Sequence, residues 1–282
     1  MKSVLIGAAF AIGGADTGSR AGPMTYHRSR LRFRKDARDG GLVWQCRAQP
    51  LPWPENAQEI RASCRRLARR VARMRHRAQP VIIGGDHSCA IGTWTGLSAF
   101  GRRPLGLLWI DAHLDSHTPL SSPSGRVHGM PLAVLLGEGV SAMSLLTQPV
   151  ILARHSVVFG VRSYEAGEPE RLERLGVRYY TMREIRRRGL AVCFREAWRR
   201  VASAPGGFGV SLDLDALAPR DAPAVSVPEP GGLPLRPLLA AIGRQSRQGL
   251  RGVEVVEYNP MLDRDKRTVK ALTRLLDVLL TS

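Results

Sequence analysis

The segment LLWIDAHLDSH, residues 107–117, runs apolar from Leu107 to Ile110 and then places Asp111, His113, Asp115 and His117 at alternate positions. In extended chain, alternate side chains share a face, so these four polar groups point the same way just where the apolar run stops. Crowded carboxylates resist ionising together, so positive charge is expected among them.

The same pattern recurs. VIIGGDH (81–87) ends in Asp86 and His87, VSLDLD (210–215) in Asp213 and Asp215, and VEVVEYNP (253–260) carries Glu257. SVLIGAAF (3–10) and SVVFGV (156–161) read as further buried strands. Helical patterns lie between them, over 56–79, 166–175, 181–188, 191–202, 234–248 and 266–280. In the first, Ile60, Cys64, Leu67, Val71 and Met74 form one apolar stripe and Pro80 is the expected stop. Strands alternating with helices imply right-handed βαβ units and a parallel sheet. Irregular stretches over 11–40, 115–127 and 216–236 are rich in Gly, Pro and Ser. Two of them follow acid-bearing strands, at the carboxyl ends where α/β sheets bind ligands.

The chain has 282 residues, 44% hydrophobic and 23% charged, which is ordinary for a globular protein with a large core. No apolar run reaches the length of a membrane span. The opening MKSVLIGAAF could mimic a secretory signal, but glycines interrupt it and a buried first strand is the better reading. Cys46, Cys64, Cys89 and Cys193 form no CxxC pair, which points to reduced thiols and a cytoplasmic protein. The net charge of +18 raises nucleic acid as a partner. Only four of the 42 basic residues are lysine, and the arginines scatter over helical surfaces without interleaved aromatics. That pattern fits compositional bias better than a binding face. A nucleotide loop at GGADTG lacks the GxGxxG spacing.

Asp111, Asp115, Asp213, Asp215, His87 and His113 therefore converge on one rim of the sheet. Single residues at these strand ends have plain structural explanations, such as Asp86 capping a helix. Together they call for divalent metal. The absence of cysteine speaks against thiolate zinc, and oxygen ligation with some imidazole suits Mn²⁺, with Fe or Co as alternatives. Six ligands exceed what one ion needs, so two bridged ions fit better.

GGDHS (84–88), DAHLD (111–115) and SLDLDALAPRDAPAVSVPEPGG (211–232) resemble the three signature blocks of the ureohydrolases, the arginase and agmatinase family. The resemblance covers most of the chain from about residue 56 onward. It implies a three-layer α/β/α fold with a central parallel sheet, one domain over 1–282, and trimers or hexamers. It further implies that His87, Asp111, Asp115 and Asp213 hold one manganese. His113, Asp111, Asp213 and Asp215 would hold the second, with Asp111 and Asp213 bridging. Residues 117–137 resemble the arginase form of the second loop. In that likeness His128 carries a proton to the leaving amine, and Ser122 and Ser124 hold the α-carboxylate of the substrate. Glu165 and Glu168 grip its α-amino group, Glu257 cradles the guanidinium, and Asp115 steadies the attacking water. The implied substrate is L-arginine, yielding L-ornithine and urea. Agmatine, guanidinobutyrate or another guanidino acid is the alternative. Formimidoylglutamate is disfavoured, because no arginine of the second block is expected to meet its carboxylates. The chain departs from the pattern at His117, where arginases carry an asparagine that binds the carboxylate, and at Glu165 and Ala218, where an aspartate is usual.

Overall fold

The computed structural model describes residues 3–29, 38–44, 51–76, 78–99, 102–139, 143, 145–146 and 148–281. Eight strands form one sheet in the order β2-β1-β3-β8-β7-β4-β5-β6, and every neighbouring pair is parallel. The strands are β1 (Ser3–Ala9), β2 (Arg38–Trp44), β3 (Gln79–Gly84), β4 (Leu105–Ile110), β5 (Ile151–Val161), β6 (Arg178–Thr181), β7 (Phe208–Asp213) and β8 (Leu250–Val256). Helices cover both faces, giving the three layers expected. Pleating divides each strand between two cores. Leu107 and Trp109 of β4 pack with Ile60, Leu67, Trp94 and Leu97 on one face. Leu108 and Ile110 pack with Phe194, Trp198, Leu272 and Leu276 on the other. Helices α2 (Ala57–Met74) and α3 (Ala90–Leu97) carry the first set, and α7 (Leu190–Ala202) and α9 (Arg267–Leu280) the second.

The opening segment is a buried strand as read, and the strands over VIIGG, LGLLWI and VSLDLD stand where expected. The first helical pattern runs only to Met74 rather than to 79. Pro80 lies inside β3, opposite Val4, near the strand's start where a missing N–H is tolerated. Strand β5 starts at Ile151, five residues early, through the polar run ARHS. Elements not foreseen are β2, β6, α3 and the short helices α1 (Gly22–Arg28) and α4 (Pro131–Leu135). The edge strand β2 reads RDGGLVW and β6 only RYYT, without a continuous apolar run. Cys46 lies outside the described residues. Cys64, Cys89 and Cys193 are free and buried.

Register decides what lies beneath the site. Trp109 pairs with Ser211, and Ser211 with Glu254, so one row crosses three strands on a single face. Two residues before Ser211, Gly209 leaves room for the Trp94 indole. A Cβ there would sit 1.9 Å from the ring, which is held in the core and cannot yield. Gly209→Ala should therefore overpack this layer and cost about 1–3 kcal/mol of stability. A urea unfolding midpoint equal to that of the parent chain would contradict it.

Candidate metal centre

The acidic segments gather at the carboxyl ends of β3, β8, β7 and β4, four adjacent strands. Three of these strands, β3, β4 and β7, end in a tight polar turn that the strand's own carboxylate caps. The Asp86 carboxylate accepts from Ser88 N at 2.9 Å, that of Asp111 from His113 N at 2.7 Å, and that of Asp213 from Asp215 N at 2.8 Å. The capping foreseen for Asp86 is thus real, and the same device recurs at the other two blocks.

The six candidate ligands come together. His87 Nδ1 lies 3.2 Å from Asp111 Oδ2, 3.0 Å from Asp115 Oδ2 and 3.3 Å from Asp213 Oδ2. His113 Nδ1 lies 3.3 Å from Asp111 Oδ1 and 3.0 Å from Asp215 Oδ2. Two donor groups result, His87–Asp111–Asp213 and His113–Asp111–Asp215, each with its ligand atoms within 4.8 Å of one another. Asp111 belongs to both, one oxygen toward each imidazole. Asp213 directs Oδ2 to the first group, while its Oδ1 accepts from Asp215 N.

Electrostatics shows what this arrangement demands. Burial opposes charge on His87, but Asp111, Asp115 and Asp213 outweigh it and lift its pKa well above the usual imidazole value. Burial likewise opposes charge on His113, and Asp215 and Asp111 overcome it. Burial and the charge of Asp111 push Asp115 up to about 7. Burial, Asp215 and Asp111 raise Asp213 well above the carboxylate range. Protons are drawn in because the cluster lacks positive charge of its own.

Divalent cations satisfy the same demand better. Three carboxylate oxygens surround His87 Nδ1, yet none meets it along a hydrogen-bond direction. The atom is buried without a hydrogen-bond partner among the described residues. A ring nitrogen aimed between carboxylates is the geometry of a metal ligand. Four aspartates and two imidazoles, with no thiolate, fit Mn²⁺-like cations. Behind His87, Nε2 lies 3.0 Å from Ser211 Oγ, and Ser211 Oγ donates to Glu254 Oε2 at 2.7 Å. The His87 ring also stacks on Trp109 at 4.0 Å, and Trp109 Nε1 donates to Asp111 Oδ2 at 2.9 Å. The relay keeps a proton on Nε2 and leaves the Nδ1 lone pair for a cation.

A hollow of about 320 Å³ opens above the cluster. Glu257 and His128 meet at its wall, with His128 Nδ1 3.3 Å from Glu257 Oε1, which also accepts from His87 N at 3.0 Å. Burial works against charge on His128, but Glu257, Asp115 and Asp86 raise its pKa. His117, Ser122, Ser124, Glu165 and Glu168 line the same hollow. His117 Nε2 lies 2.5 Å from Glu165 Oε2. Glu168 is buried and accepts from Ser116 N at 2.9 Å and Glu165 N at 3.0 Å, which fixes both loops. Asp115 and Glu257 adopt left-handed backbone, with φ of 49° and 65°. That conformation is costly for residues with a Cβ and clusters at functional sites.

Residues 1–281 match the arginase family over essentially the whole chain. The chain belongs to the arginase family. It is 38% identical over 225 residues to an arginase of Bacillus caldovelox, covering 78% of this chain and 75% of that one. It is 39% identical over 230 residues to an arginase of Bacillus subtilis strain 168, covering 80% and 77%. The crystal structure of the Bacillus caldovelox arginase superimposes with a TM-score of 0.92 at 33% identity, covering 100% of this chain and 98% of that one. Formimidoylglutamase of Bacillus subtilis shares the fold, with a TM-score of 0.79 at 22% identity over 99% and 86% of the two chains.

Beyond the second block, Arg126 lines the hollow, one residue before the turn Val127–Gly129 that presents His128, and was not foreseen. Ser211, Glu254 and Arg162 were also not foreseen. A polar residue inside an otherwise apolar buried strand marks Ser211 and Glu254. Nothing in the sequence marks Arg162, whose guanidinium donates to the carbonyls of Asp215 at 2.6 Å and of Glu229 and Pro230 at 2.9 Å, tying the third block down. Ser211→Ala should weaken divalent-cation binding by about 10–100-fold, measured by calorimetric titration with Mn²⁺. In the parent chain that affinity should fall as pH falls, because both imidazoles, with raised pKa values, must release protons to bind. A pH-independent affinity would contradict the ligand roles of His87 and His113.

Proposed function

We propose that the chain is a binuclear, manganese-dependent amidinohydrolase that converts L-arginine to L-ornithine and urea. The observation that carries this is the convergence of six metal-type ligands beneath a hollow that pairs Glu257 with His128, in a chain whose relatives at 38–39% identity are arginases. Residues 1–282 would act as one catalytic domain, in the cytoplasm and as a homo-oligomer, a trimer or hexamer as the family resemblance implies. Nucleic acid is not a proposed partner.

When bound, two divalent cations supply the Lewis acidity that makes a water nucleophilic near neutral pH. The side chains do the rest. Glu257 accepts a planar guanidinium through its carboxylate and fixes the reacting carbon above the cluster. Its hold on His87 N keeps that carboxylate in register with the ligands. Asp115, directed inward by its left-handed backbone, orients the attacking water. His128 keeps one proton on Nδ1 toward Glu257 and delivers another from Nε2 to the leaving amine. In the same hollow, Ser122, Ser124 and Arg126 offer donors to a carboxylate, and Glu165 and Glu168 offer charge to an α-amine.

The pairing of His117 with Glu165 favours a second substrate within the same reaction, because it offsets part of the acid available to an α-amine. A guanidino acid without that amine, such as guanidinobutyrate, is the runner-up. A urea-release assay with Mn²⁺ across L-arginine, agmatine and guanidinobutyrate decides. Agmatine, lacking the carboxylate, should have a kcat/KM about two orders of magnitude below that of arginine. Equal or faster turnover of agmatine would overturn the carboxylate role of the rim, and no urea from any of the three would overturn the hydrolase reading. Glu257→Gln should retain its cations but lose about 100-fold in turnover through misplacement of the guanidinium. Undiminished turnover would remove Glu257 from the mechanism.

A further inference from the structure

At the opposite end of the sheet lies a second hollow, of about 620 Å³. Leu105, the first residue of β4, lines it, whereas Asp111 follows that strand's last residue. A strand of this length separates the hollow from the metal centre by roughly 20 Å. Arg75 at the end of α2, Arg102 and Arg103 between α3 and β4, and Arg251 in β8 surround it with His76, and among the described residues no acidic side chain lines it.

Like charges brought together from three parts of the fold repel. Arg102 and Arg103 add to burial in lowering the pKa of Arg75. The Nε of Arg75 is buried without a hydrogen-bond partner among the described residues. Other arginines of the chain contrast with this group. Arg178 and Arg188 pair with Glu184, and Arg174 with Glu138. The carbonyl ends of α2 and α3 approach the hollow and offset part of the repulsion, but they provide no anion.

We propose that this hollow binds a compact polyphosphate through the guanidinium groups of Arg75, Arg102, Arg103 and Arg251. Guanidinium forks match phosphate oxygens bidentately, and an anion of several charges neutralises all four groups at once. Among the described residues no Phe, Tyr or Trp lines the walls, and His76 carries the one ring there. Recognition therefore rests on the phosphate chain, whether free or the tail of a nucleotide.

The test is calorimetric titration of the full chain with inorganic tripolyphosphate, with ATP in a parallel arm, at near-physiological salt. The parent chain should bind saturably at one site. Arg102→Gln/Arg103→Gln should weaken binding about tenfold or more, since each removes a charge-assisted hydrogen bond. Arg61→Gln/Arg65→Gln, on the exposed face of α2, removes the same charge and should leave affinity unchanged. Equal affinities for the two ligands would assign recognition to the phosphates alone, and tighter ATP binding would assign the nucleotide as the source of the tail. The proposal is overturned if binding is not saturable, if the two double variants weaken it equally, or if only long single-stranded RNA binds.

Discussion

The Asp111 carboxylate organises everything around it. It is fully buried, one oxygen faces His87 and the other His113, and the Trp109 indole donates to it from the same strand. A carboxylate in such surroundings keeps its charge only because His113 and His87 hold its pKa down against burial. The backbone serves the same end: Asp111 N donates to Phe159 O, which fixes the turn at the exit of β4 against β5. Parallel pairing on both sides of β4 makes that exit the place where two cores and one charge cluster meet.

Beneath the cluster, the register of β4, β7 and β8 converts sheet geometry into chemistry. Trp109, Ser211 and Glu254 lie side by side because their strands pair there, and that row sets the tautomer and tilt of His87. Glu254 is itself fully buried and raised in pKa by burial, with His87 working the other way. The support of the site is thus built into the sheet, while the hollow above it is built from loops.

This division explains what was legible from sequence. Strands such as LGLLWI and VSLDLD announce themselves, because a buried parallel strand must be apolar along its length and its exit must turn polar. The six candidate ligands follow from that contrast, since their types and spacing are local. The edge strands β2 and β6 are exposed on one side and carry no such run, so nothing local marks them. Helix α3, AIGTWTGL, is buried on all sides and rich in Gly and Thr, weak helix formers, and it holds through packing against α2. Arg126 was readable but hidden beside a stronger signal, His128. Arg162 works only through backbone carbonyls from distant loops, a partnership no sequence spacing encodes.

The left-handed backbone at Asp115 and Glu257 carries a cost of its own. Each position holds a side chain where glycine would rest more easily, at an expense of order 1 kcal/mol or more. Folding alone would relax both positions. Their retention sets local comfort against reactivity, and replacing either by glycine should yield a sturdier but idle protein. Thermal robustness in this chain is therefore best sought on its helical surfaces, away from the two residues that keep its interior under tension.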